Sequence, residues 1–128
     1  MASTIRSLNI LDTAPAAALG AGVTENQDYT VTRACFVSSA SVLATATVAN
    51  SAARLSRQAL GSGSFNVITA SLAMAAAATL TRADSLVVAQ YVCAATDVLR
   101  VAFTDGGAGG ANGRFITELV NLPISGAA

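Results

Sequence analysis

The dominant pattern in this chain is alternation. In residues 41–48 the even positions are Val42, Ala44, Ala46 and Val48, and the odd positions are Ser41, Leu43, Thr45 and Thr47. A period of two sends successive side chains to opposite faces, so one face meets a core and the other meets solvent or a partner. Residues 29–37, rich in β-branched and aromatic side chains, read as a preceding strand. Residues 53–60 read as a polar strand whose Arg54 and Arg57 suit a sheet edge, where charge blocks unwanted pairing. After the turn Gly61-Ser62-Gly63-Ser64 the alternation resumes, with Ile68, Ala70, Leu72 and Met74 against Val67, Thr69 and Ser71. It favours a strand there; a short helical turn over the alanines of residues 73–78 is its competitor.

Residues 86–94 are almost continuously apolar, as in a strand buried on both faces or at an interface. Ala95-Thr96-Asp97 turns the chain. Residues 98–104 place Leu99, Val101 and Phe103 on one face, and residues 114–122 set Phe115, Thr117 and Leu119 against Ile116, Glu118 and Val120, with Pro123 as the stop. The pattern amounts to about seven or eight short strands joined by small-residue turns, the signature of an antiparallel sandwich or barrel. Residues 26–128 are therefore expected to form an all-β sandwich domain. Residues 1–25 differ: 5–11 fit one strand, but the stretch containing Pro15, Gly20 and Gly22 has no period, so the segment reads as an extended N-terminal arm or linker that orders against a neighbour.

Composition narrows the class. Of 128 residues 53% are hydrophobic, but 29 of these are alanine, so the core is expected to be thin. Charged residues make up 11%, well below the usual quarter, which fits a surface covered by other chains. Net charge is zero and all seven basic residues are arginine, which disfavours nucleic acid as a partner. The uncharged stretches 34–53 and 58–81 intersperse Ser, Thr, Asn and Gln among apolar residues, unlike a lipid-facing helix, so a membrane partner is not expected. No segment has the apolar centre of a secretory signal.

The residue inventory also limits chemistry. The chain has no histidine and no lysine, which removes Ser-His-Asp and Cys-His catalysis, His metal sites, Schiff bases and Ser-Lys dyads. Cys35 and Cys93 are too few for structural zinc; each lies in an apolar run and reads as a buried thiol, with a disulfide between neighbouring strands as the alternative. The carboxylates are Asp12, Glu25, Asp28, Asp84, Asp97, Asp105 and Glu118. Most fall at expected turns or in the arm, and the close pair Glu25/Asp28 reads as a turn. The arginines read as partners for Asp or for carbonyls at interfaces.

The stretch "TDGGAGGANGR", residues 104–114, holds five of the ten glycines. It lacks the lysine of a P-loop, has Asn112 where a dinucleotide fingerprint needs its third glycine, and has Ala111 where a calcium-binding repeat needs its Asp. It is left as a mobile hairpin loop. No catalytic, cofactor-binding or metal-ligating residue is nominated, no cofactor is expected, and the chain is not expected to be an enzyme.

The segments "DYTVTRACFVSSASVLATATVAN", "AAATLTRADSL" and "ATDVLRVAFT", followed by the Gly-rich loop and a terminal strand, span roughly residues 26–122. Their Ala/Thr/Val/Gly texture resembles the small β-sandwich head decoration, or cement, proteins of tailed bacteriophages. The resemblance implies a jelly-roll-like sandwich, homo-oligomeric and often trimeric. It implies a place on the outer capsid surface of the virion, at junctions between major capsid protein subunits that it reinforces. Two other functions compete: a glycan- or receptor-binding sandwich of a phage fibre, weakened by the absence of Trp, and a protein that builds the shell or tail itself.

Overall fold

A computed structural model describes residues 8–46, 48–74, 80–83, 85–87 and 90–122. Within them the regular elements are all strands: β1 Leu8–Thr13, β2 Thr24–Thr30, β3 Cys35–Ala46, β4 Ala52–Gln58, β5 Asn66–Val67, β6 Leu72–Ala73, β7 Leu80–Arg82, β8 Val92–Cys93, β9 Val98–Thr104 and β10 Asn112–Asn121. They form two antiparallel sheets. The first has the order β1-β10-β3-β7, with β8 also beside β3; the second has β2-β9-β4-β5, with β6 also beside β4. Thus β1 lies along β10, β2 along β9, β3 along β7 and β8, and β4 along β5 and β6. The first four strands run back against the last six like one long hairpin rolled over on itself. This is a jelly-roll sandwich.

Period-two patterning explains which faces meet. Val37, Ala40, Val42 and Ala44 of β3 and Phe115, Thr117 and Leu119 of β10 point inward from the first sheet; Ala53 and Leu55 of β4 and Leu99, Val101 and Phe103 of β9 point inward from the second. At the centre Phe103 and Phe115 meet across the sheets edge to face, with centroids 6.5 Å apart and planes at 83°. Leu, Val, Ile and Met side chains fill most of the remaining described core, and of the alanines only Ala40, Ala44, Ala53 and Ala111 are buried in it, so the alanine content does not translate into an alanine-filled core.

Several expectations are corrected. Residues 8–25, read as part of an extended arm or linker that orders against a neighbour, are held by this chain's own strands and loops. Leu8–Thr13 pairs in full register with β10, and Leu19 is buried, its N–H bonded to Ala111 O at 2.9 Å. Residues 1–7 lie outside the described residues. The single strand read over 29–37 is two, because residues 31–34 carry the chain from the second sheet to the first. Residues 52–58 form no edge: β4 sits between β9 and the short strands β5 and β6. Glu25 and Asp28 lie within β2 rather than in a turn. Of residues 86–94 only Val92–Cys93 pair as a strand among the described residues, since the N–H groups of Gln90 and Tyr91 turn back to Val87 O. The choice between strand and helix over 73–78 falls mostly outside the described residues, as do Asp84 and Pro123.

Candidate functional site

The glycine loop joins β9 in one sheet to β10 in the other, so it is an inter-sheet crossing and not a hairpin. It is built around Asp105, which is 3% exposed. The Asp105 carboxylate accepts backbone N–H groups from Gly107 (2.8 Å), Gly109 (3.0 Å), Gly22 (3.1 Å) and Ala111 (3.2 Å). Burial alone would raise its pKa, but these four donors outweigh it and hold the group at about 2. Gly107 and Gly109 adopt positive φ of 128° and 85°, which lets their N–H groups turn toward one carboxylate, while Gly110, at 99°, turns its N–H to Leu19 O at 2.7 Å. The glycines therefore cradle an anion, and that anion is the protein's own side chain. An Asp directly before Gly-Gly is an Asx-turn signature, and it was the available sequence signal for this role.

A second internal anchor is Asp97, 2% exposed. It accepts Arg57 Nη1 at 2.8 Å and the N–H groups of Ala94 (2.9 Å) and Leu60 (3.2 Å), while Arg57 Nη2 donates to Gln90 Oε1 at 2.9 Å. Burial raises the Asp97 pKa and the Ala94 N–H and Arg57 more than offset it, leaving it below the ordinary carboxylate value. The remaining described carboxylates are also engaged. Asp28 holds Arg100 through two bonds, Asp12 pairs with Arg114, Glu25 accepts Ala16 N–H and Gln27 Nε2, and Glu118 accepts Ser38 Oγ. Among the described residues no three Cys, Asp or Glu side chains gather as a metal site would require.

Cys35 and Cys93 are direct register partners across β3 and β8, both buried and both free thiols. A shared hydrogen bond with Cys35, together with burial, holds the Cys93 thiol protonated well above its ordinary range.

The two outer faces differ in character. On the first sheet Leu8, Val120, Phe36 and Val92 stand in register across four strands, an unbroken apolar row on the outside. Leu8 is 52% and Val92 48% exposed, and the neighbouring Ile10 is 56% exposed. The outer face of the second sheet is polar and concave. A depression of about 670 Å³ lies over β2, β9 and β4, floored by Ala52 and Ala102 and walled by longer side chains. At one end Arg100, fixed by Asp28, stacks 3.9 Å above the Phe65 ring. Thr24 and Thr104 hydroxyls meet at 3.0 Å at the other end. Arg54 also lines the depression, and among the described residues it forms no ion pair. Sequence reading assigned none of this, because the face exists only once three distant strands are in register.

No protein-family model matches the chain, and no curated protein matches it. Among solved structures it is similar to a chain of the structure of infectious bursal disease virus Gx strain. That similarity has a TM-score of 0.46 and 11% identity, over 97% of this chain and 38% of the other. The present chain thus spans well under half the length of that one.

Proposed function

We propose that this chain is a virion structural protein. It decorates an icosahedral phage capsid from the outside and stabilises it by binding at junctions between major capsid protein subunits, as a homo-oligomer and foremost a trimer. The observation that carries this reading is the apolar row Leu8–Val120–Phe36–Val92 on a jelly-roll, an architecture that capsid domains use. Covering the remaining exposed half of Leu8 or Val92 contributes about 1 kcal/mol each, so the row and its neighbour Ile10 supply the centre of a modest interface. The low charge content supports the same reading, because few charges then need to be desolvated. Every described carboxylate bonds to this chain's own groups, which favours a scaffold over a catalyst. A protein that binds the closed shell and not its free subunits stabilises the shell by mass action.

The test is co-sedimentation of the purified chain with mature shells, imaged by electron microscopy, alongside its oligomeric state in solution. Saturable shell binding, lost in Leu8→Glu and Val92→Glu at unchanged thermal stability, is the expected result. A monomer with no affinity for any shell overturns the reading. Closure of the purified chain into particles or tubes on its own would make it a shell-building protein instead.

A further inference from the structure

We propose that the concave outer face of the second sheet binds a saccharide bearing a carboxylate. The proposal goes beyond the shell role and does not depend on it, since it concerns the opposite face and is tested on the isolated chain. Its volume of about 670 Å³ lies within the range of small-molecule sites.

The shape follows from register. Asn26, Ala102 and Arg54 lie side by side across β2, β9 and β4, as do Thr24, Thr104 and Ala52 one pair along. Single methyl groups at Ala102 and Ala52 leave the floor low, while Arg54 and the Arg100–Phe65 stack rise beside it. The charge follows from pairing. Asp28 engages Arg100 through both oxygens, so Arg100 is neutralised in place. Among the described residues Arg54 has no such partner, which leaves the depression with one surplus positive charge in a chain whose net charge is zero.

One free guanidinium matches one carboxylate, which it can hold through two parallel hydrogen bonds. Around it stand neutral donors and acceptors, the amide of Asn26 and the hydroxyls of Thr24, Thr104 and Ser56. Such groups suit a ligand dense in hydroxyls, while the alanine methyls and Val67 offer apolar area to the C–H face of a sugar ring. A peptide strand fits less well, because the ladder groups of β9 and β4 are already paired with neighbouring strands and the floor has no deep apolar pocket for an anchor. A polyanion fits less well still, because it needs several basic groups in a line.

The experiment is an amide NMR titration of the full chain with sialyllactose, a glucuronate oligosaccharide and a galacturonate oligosaccharide, each against a neutral sugar of matching length. The expected result is shifts confined to β2, β9 and β4 with at least one acidic sugar, at a Kd of about 1 mM, and at least about tenfold weaker binding of its neutral counterpart. Arg54→Ala should weaken binding at least about tenfold, and Arg54→Lys should restore part of it. Ala102→Leu, which raises the floor, should abolish the shifts while keeping the dispersed spectrum of the folded chain. No shift with any of the three acidic sugars overturns the proposal. So does equal binding of the neutral sugars, or wild-type affinity in Arg54→Ala.

Discussion

Asp105 accepts a hydrogen bond from the backbone N–H of Gly22, a residue 83 positions earlier in the chain. The bond ties the loop before β2 to the crossing before β10, and three more N–H groups from the crossing itself converge on the same carboxylate. The ionised form is favoured in the folded state only, which makes the loop sensitive to acid. A group whose folded pKa is depressed contributes stability above its unfolded pKa and loses it as pH falls through the folded one. Here the window runs from the ordinary value of 3.8 down to about 2. Asp105→Asn should lower the melting temperature at pH 7, and the gap between variant and wild type should close as pH approaches 2. Thermal melts from pH 7 to pH 2 check this; a gap independent of pH would show that the carboxylate charge is not what organises the loop.

Gly106 is restricted by space rather than by φ. A Cβ at this position would sit 1.8 Å from Ala49 O and 2.8 Å from the carbonyl carbons of Ala49 and Asn50, all of them backbone atoms with no rotamer to yield. Gly106 N–H also donates to Ser51 Oγ at 2.8 Å, so the crossing is pressed against the β3–β4 turn. Gly106→Ala should cost more than about 1 kcal/mol, whereas Gly63→Ala, with open space and no positive φ, should be neutral or stabilising by about 0.5 kcal/mol. Urea unfolding of the two variants side by side measures the contrast, and equal effects would contradict the close approach.

Asp97 joins three parts of the chain: Arg57 of β4, the Leu60 turn and the Ala94 turn. Both charged partners are largely withdrawn from water, with Asp97 at 3% and Arg57 at 16% side-chain exposure. Removing one member of such a pair strands the other, and Arg57 Nε already lacks a partner. Asp97→Ala should therefore destabilise the fold by about 3 kcal/mol. Arg57→Met should cost less, because Asp97 keeps its two backbone donors. Denaturant midpoints give the order, and a larger loss in Arg57→Met would reverse the assignment of Asp97 as the hub.

What was legible in the sequence is what alternates and is local. Residues 98–104 form β9 with Leu99, Val101 and Phe103 inward, as their spacing requires, and β10 buries Phe115, Thr117 and Leu119. What was not legible is held by distant groups. The segment before β2 has no period because backbone bonds of Leu19 and Val23 to the glycine crossing fix it, and these leave no mark on side-chain pattern. Strand β2 is almost wholly polar. Its inward positions Glu25, Gln27 and Tyr29 are only half-buried at the sheet margin, so nothing selects apolar residues there. The concave face escaped for the same reason: Asn26, Ala102 and Arg54 are unremarkable separately and become a surface only through register.

Cys35 and Cys93 provide a further test, because directly opposed residues of an antiparallel pair lie about 4.5–5.5 Å apart, within the Cα span of a disulfide. In the folded chain both thiols are buried, and Cys93 is held protonated, so neither should react with iodoacetamide until the protein is unfolded. Refolding with oxidised glutathione gives access to both. One thiolate attacks glutathione disulfide and releases a glutathione thiolate. The second then displaces the other glutathione from the mixed disulfide, so two protein thiols are oxidised as one glutathione disulfide is reduced. The product should be about 2 Da lighter than the reduced chain, and the closed loop should stabilise it by about 2–4 kcal/mol. Cys35→Ser should show neither change. Intact mass and urea midpoints read both, and a refolded chain that keeps two free thiols, or gains no stability on closing them, would show that register alone does not bring these sulfurs into bonding geometry.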